Sequence, residues 1–258
     1  MKRRIIIALA LILVGFLAII VAFGLSGWNL SIPKTEQILH IYEVTEDFLD
    51  ISISSTEADV ILLPAKDGVC RVECYEKPKV TYAISVSDGT LTISAIDTRA
   101  WYDYVHLFSY PSPKITVYLP EEAYRSFTVN STTGDVTVPN QFSFDTVDIN
   151  VSTGDVLCQA PSVGSLRIKT STGDVELKNL VASEAIQITC STGDVEFERC
   201  DAAELIIKTD TGDVEGSLLS PKIFFAESDT GSVDVPRSVT GGTCTVSTST
   251  GDIDISIP

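Results

Sequence analysis

Histidine is nearly missing from this chain, with His40 and His106 the only two. Neither stands in a spacing that would make it a triad base or a zinc ligand. G-x-S-x-G, a Walker loop and H-E-x-x-H are all absent. Six cysteines, Cys70, Cys74, Cys158, Cys190, Cys200 and Cys244, form no C-x-x-C pair. Cys70 and Cys74 on one extended run would lie about 13 Å apart, too far to bridge. Basic residues are scarce as well. Lys2, Arg3 and Arg4 sit at the N-terminus, which leaves 15 of the 18 basic residues against all 35 acidic ones in the rest. A surface so acidic repels nucleic acid, and no nucleic-acid partner is expected. Carboxylates are abundant, but acid–base catalysis needs two of them in different environments. The expectation is that the chain is not an enzyme.

Aromatics are also thin, at 8% of residues, and they cluster. The stretch 97–113 holds Trp101, Tyr102, Tyr104, His106, Phe108 and Tyr110. It reads either as an apolar lid over the core or as a recognition loop, because aromatic clusters dominate binding hot spots. One long apolar run occurs, Ile5 to Leu25, with no charge and no proline. As a helix its 21 residues measure about 31 Å, enough to cross a bilayer. With Lys2, Arg3 and Arg4 ahead of it, the run reads as an uncleaved signal-anchor, with a cleaved signal peptide as the alternative, and the C-terminal domain is expected outside the cell. Residues 26–40 follow as a linker.

What the chain has in quantity is a turn. Thr-Gly followed by Asp or Ser, then Val or Ile, occurs at Gly134, Gly154, Gly173, Gly193, Gly212, Gly231 and Gly251. The spacings are 20, 19, 20, 19, 19 and 20 residues, a period that marks stacked repeats. Seven before each glycine stand Phe127, Val147, Leu166, Ile186, Leu205, Phe224 and Cys244. Two after it stand Val136, Val156, Val175, Val195, Val214, Val233 and Ile253. Apolar positions two apart on both arms give strand, turn, strand. One such unit cannot bury its inner face, whereas copies stacked about 4.8 Å apart bury continuous columns. The predicted fold is all-β, a parallel β-helix or β-solenoid of about 19–20 residues per coil, preceded by one N-terminal transmembrane helix.

The regular solenoid is placed at 121–258. Residues 41–120 read as an irregular β segment that closes one end of it, with the aromatic loop 97–113 inside. Ala58-Asp59-Val60 looks like a degenerate copy of Gly-Asp-Val, and Asp88-Gly89 is a hairpin signal. The seventh coil is expected to be the far end, its edge blunted by Asp252, Asp254 and Pro258 or stacked on a partner.

The position after the glycine carries Asp135, Asp155, Asp174, Asp194, Asp213, Ser232 and Asp252. In register these carboxylates repel by on the order of 1 kcal/mol per contact in water. One reading offsets that locally, through hydrogen bonds from turn N–H groups. The other places Ca²⁺ or Mg²⁺ between Asp135, Asp155, Asp174, Asp194, Asp213 and Asp252, since hard cations favour clustered oxygens.

The membrane segment, Ser-Asp-Gly-Thr-Leu-Thr-Ile at 87–93, Ile-Thr-Val-Tyr-Leu-Pro at 115–120 and the serial Ser-Thr-Gly-Asp-Val turns together resemble the bacterial "putative adhesin" family of unknown function. That family includes the LiaG-like envelope proteins. The resemblance implies an extracytoplasmic β-solenoid of the cell envelope with no established enzymatic activity. The expected function is a membrane-anchored binding or scaffolding module whose partner is an envelope protein or a glycan. The alternatives are an ectodomain that regulates envelope-stress signalling and, further off, a polysaccharide-acting enzyme.

Overall fold

The computed structural model describes Val14, Gly15, Leu17 and residues 38–77, 79–100 and 113–257. The chain divides into two units, Met1–Thr35 and Glu36–Pro258. In the first, the three described residues are helical; the remainder of the expected membrane helix lies outside the described residues. Among the described residues no helix is long and apolar enough to cross a membrane.

The second unit is all strand. Its N-terminal part holds β1 (Ile38–Val44), β2 (Asp50–Ser55), β3 (Asp59–Pro64), β4 (Cys70–Glu76), β5 (Val80–Ser87), β6 (Thr90–Asp97) and β7 (Lys114–Leu119). The repeats follow as a long strand and then a short one. They are β8 (Ala123–Thr133) with β9 (Val136–Val138), β10 (Ser143–Thr153) with β11 (Val156–Cys158), and β12 (Ser162–Thr172) with β13 (Val175–Lys178). After β14 (Val181–Thr192), β15 (Val195–Thr211) bends round the corner and serves first as a short strand, then as a long one. The series ends with β16 (Val214–Leu218), β17 (Lys222–Thr230) and β18 (Val233–Asp234), β19 (Gly242–Thr250) and β20 (Ile253–Ser256).

Long strands pair in parallel on one face and short strands on the other, in the register that the repeat period dictates. Val147 lies between Phe127 and Leu166, and Val156 lies between Val136 and Val175. The inner columns are dry. Val136, Val156, Val175, Val195, Val214 and Ile253 are each at most 1% exposed. Each such side chain contributes about 1.5–3 kcal/mol by leaving water. At the corner where one coil leads to the next, the column Tyr124, Phe144, Val163, Ala182, Ala202 tapers from aromatic to alanine. Phe127 and Phe142 pack beside its wide end.

The coils do not stack in chain order, contrary to the expectation that the seventh is the far end. β15 and β16 pair with β19 and β20, and those pair in turn with β17 and β18. The coil of Gly251 is therefore inserted between those of Gly212 and Gly231, and the sixth repeat forms the end. The return passage needs glycines. A Cβ on Gly241, whose φ is +96°, would meet the Pro221 carbonyl oxygen at 1.8 Å, and one on Gly242 would meet that of Ala203 at 2.1 Å. Lys222, 3% exposed, forms an ion pair with Asp201 and donates to Ser220 Oγ at 2.8 Å. This ties the sixth coil to β15 across the inserted one.

A matching exchange occurs at the other end. β2 and β3 sit between β6 and β7 on one side and β8 and β9 on the other. The strand pairs β2–β3 and β6–β7 thus contribute two true coils, with Ala58-Asp59-Val60 in the turn position that its sequence predicts. Beyond them the stack is closed by antiparallel strands, β5 on β6, β4 on β7 and β1 on β4. Asp88 and Gly89, with φ of +52° and +74°, close the two-residue hairpin between β5 and β6.

Candidate functional site: an aspartate ladder beside an acidic face

The turn glycines hold the coils close. Gly173 has φ +132°, and a Cβ there would lie 2.2 Å from the Gly154 carbonyl oxygen. A side chain fails on both counts, conformation and space. Beneath the turns, hydroxyls reach these carbonyls from inside. Thr248 Oγ1 donates to Gly212 O at 3.2 Å and Ser228 Oγ to Gly251 O at 2.8 Å.

Outside the turns the aspartates make a single hydrogen-bonded ladder. Asp135 N–H donates to Asp59 Oδ1 at 3.1 Å, and Asp155 N–H to Asp135 Oδ1 at 2.9 Å. The pattern continues from Asp174 to Asp155, Asp194 to Asp174, Asp213 to Asp194 and Asp252 to Asp213, at 2.7–2.9 Å. Ser232 ends the series by donating to Asp252 Oδ1 through its N–H at 2.7 Å and its hydroxyl at 2.9 Å. These two bonds, the backbone one first, hold the Asp252 carboxyl below the usual carboxylate range. The acceptor role explains why carboxylates tolerate the column. Each gains a bond to its own ionised oxygen, while repulsion between rungs acts through water and salt.

All six predicted ligands, Asp135, Asp155, Asp174, Asp194, Asp213 and Asp252, therefore lie in one column, each with Oδ1 engaged by a neighbouring coil. Among the described residues no group of three or more His, Cys, Asp or Glu side chains converges as a metal site would. Two residues further along the short strands runs a second acidic column. Glu176, Glu196, Glu215, Asp254 and Asp234 are in register across five coils. Glu176, Lys178, Glu196, Phe197, Glu198 and Glu215 border a groove of about 250 Å³, with Lys178 paired to Glu176. Beneath it, on the inner face, the missing side chain of Gly216 leaves room for the buried Phe197 ring.

The predicted recognition residues Trp101, Tyr102, Tyr104, His106, Phe108 and Tyr110 lie outside the described residues. The flanks of that segment are anchored beside the first turn. Arg99 pairs with Asp97 at 2.6 Å and with Glu57 at 2.8 Å, and the Pro113 carbonyl accepts Asp59 N–H at 2.9 Å. Sequence reasoning passed over this part-buried Glu57–Asp97–Arg99 cluster, because its members sit in no repeat. The Asp97–Arg99 spacing of two was the available signal.

Solved structures with a similar course include a "putative adhesin" from Bacteroides fragilis, at 18% identity and TM-score 0.49, covering 88% of this chain and 99% of that one. A "putative cell adhesion protein" from Clostridium sporogenes gives 11% identity and TM-score 0.42, over 86% and 100%. A "putative lipid binding protein" from Parabacteroides distasonis gives 14% identity and TM-score 0.32, over 87% and 98%. No curated protein matches. The model of the family described as Toastrack DUF4097 matches residues 48–258, and the chain belongs to that family of unknown function.

Proposed function

We propose that this chain is a non-catalytic binding or scaffolding module of the bacterial cell envelope, held at the membrane by residues 5–25 with the solenoid outside. The observation that carries the reading is the in-register acidic face formed by Glu176, Glu196, Glu215, Asp254 and Asp234 beside the aspartate ladder. A rigid row of carboxylates one coil apart presents the same group again and again. It suits a polymeric or repetitive cationic partner, which gains from several weak contacts at once. The apolar run behind Lys2, Arg3 and Arg4 supports the anchoring.

The test uses the full chain expressed in bacterial cells. Protease added outside should remove residues beyond 36 while the N-terminal fragment stays in the membrane fraction. Binding to isolated envelope material should fall when Glu176, Glu196 and Glu215 are all changed to Gln, with melting temperature unchanged. Protection from external protease would refute the topology. Undiminished binding by the triple variant would remove the acidic face from the reading.

A further inference from the structure

The two ends of the stack are finished differently. One ends in the antiparallel strands β1 and β5, each hydrogen-bonded to a single neighbouring strand among the described residues. At the other, β17 pairs only with β19 and β18 only with β20, so among the described residues the outer edge of both sheets is unpaired. The core columns stop there half-open. Val233 is 42% exposed, where its column partners are at most 1%; on the outer face of β17 Phe225 is 59% exposed, and Val239 in the connection is 88% exposed. A hollow of about 530 Å³ opens between Phe224, Val233, Val235, Pro236, Arg237 and Val239.

We propose that this open end binds the same end of a second copy of the chain, β17 against β17 in antiparallel register about Ala226, to continue the long-strand sheet through a two-fold axis. Several features of the edge fit that occupant. Centred on Ala226, the register sets Phe224 opposite Ser228, Phe225 opposite Glu227, Ile223 opposite Asp229 and Lys222 opposite Thr230. Inward residues meet inward ones, and no carboxylate lies directly opposite another. Charges at the two corners also complement each other. β17 runs from the corner of the 235–241 connection, which carries Arg237, to the turn corner with Asp229 and Asp252. Reversing one copy sets the Arg237 corner of each over the acidic turn corner of the other. The area suffices as well. Nine residues of β17 extend about 30 Å, and two sheets about 10 Å apart with their side chains give roughly 600 Å² per copy. The total of about 1,200 Å² reaches the lower range of stable interfaces.

The test is cysteine trapping in the full chain, in membranes of expressing cells. The double variant Phe225→Cys/Glu227→Cys places thiols opposite each other twice across the axis. The six native thiols are buried, so they do not compete. A mild copper oxidant should give a covalent dimer on a non-reducing gel, and Asn130→Cys, exposed in mid-stack, should stay monomeric. In parallel, sedimentation of the detergent-solubilised chain should show a dimer that Phe225→Asp abolishes without change in melting temperature. A monomeric wild type that also fails to cross-link overturns the proposal. So does equal cross-linking of the Asn130→Cys control, or a dimer indifferent to Phe225→Asp.

Discussion

Ser232 donates twice to Asp252 Oδ1, through its N–H at 2.7 Å and its hydroxyl at 2.9 Å, and it stands on the last rung of the ladder. Every earlier rung is an aspartate because a further coil must find an acceptor there. The outermost coil has no such duty, and a serine suffices. Ladder positions should therefore differ in what they tolerate. Asp194→Ala orphans the Asp213 N–H and should destabilise by about 1 kcal/mol, a melting shift of roughly 2–4 °C. Asp194→Asn keeps the acceptor and should lie within about 0.5 kcal/mol of wild type. Ser232→Asp should also be near neutral. Thermal denaturation followed by circular dichroism ranks the three, and equal losses for Ala and Asn would show that charge, not the acceptor, matters at Asp194.

The turn glycines supply the sharpest contrast in stability. Gly173→Val drives a side chain against the Gly154 carbonyl at a backbone angle that valine avoids. The loss should exceed about 4 kcal/mol, and the variant should melt far below wild type or fail to fold. Gly68, at φ +72° with nothing within 4 Å of where a Cβ would stand, bears only the conformational cost. Gly68→Ala should therefore lose about 1 kcal/mol. Similar melting temperatures for the two would mean that the close approach of coils at Gly173 is not rigid.

The period of 19–20 residues made the columns legible, because two apolar arms around a fixed glycine admit one stacking register. Ala58-Asp59-Val60 was legible for the same reason. The exchange of coils at both ends was not, since a repeat pattern tells which residues are equivalent and says nothing of which copies are neighbours. Two places in the chain carried the missing information. Ser232 departs from aspartate at the end rung, and Gly241-Gly242 provides the narrow passage back into the stack. The acidic column of Glu176, Glu196, Glu215, Asp234 and Asp254 is also written in the repeat, three residues after each coil's glycine. The packing of the Phe197 ring into the place that Gly216 leaves is not, because it pairs residues from two different coils.

Phe197 and Gly216 are register partners, and a Cβ on Gly216 would meet the ring at 2.3 Å. Phe197→Ala should cost about 3–5 kcal/mol through the void it leaves, and Gly216→Val should be strongly destabilising through overpacking. Combined, the small and large side chains exchange places. The double variant should recover about 1–3 kcal/mol relative to additivity, measured by urea denaturation. Strict additivity would mean that the two positions do not share one space.

Acid should weaken one specific contact. Arg125 and Ser126 hydrogen-bond the Asp50 carboxylate and, with the guanidinium foremost, hold it below the usual carboxylate range. A carboxyl depressed on folding stabilises above its unfolded pKa, and that contribution disappears as pH falls through the folded value. The stability gap between wild type and Asp50→Asn should therefore be full at pH 6 and shrink steadily below about pH 4. A gap independent of pH would assign the effect to packing at Asp50 and not to its charge.

The thiols offer a readout of global opening. Burial pushes Cys74, Cys158 and Cys244 up to about 12 and Cys70 and Cys200 up to about 11. At pH 8 a thiol of pKa about 12 is ionised only about once in ten thousand, and its sulfur is also out of reach of reagent. Alkylation of the native chain should be slow, and it should accelerate sharply in urea at the unfolding midpoint. All six thiols, Cys190 included, should then be modified together, because they lie in one continuous core. Mass spectrometry of partly alkylated samples should show unmodified and fully modified chains, with little between. Early, separate labelling of Cys244 would instead show that the inserted coil leaves the stack on its own.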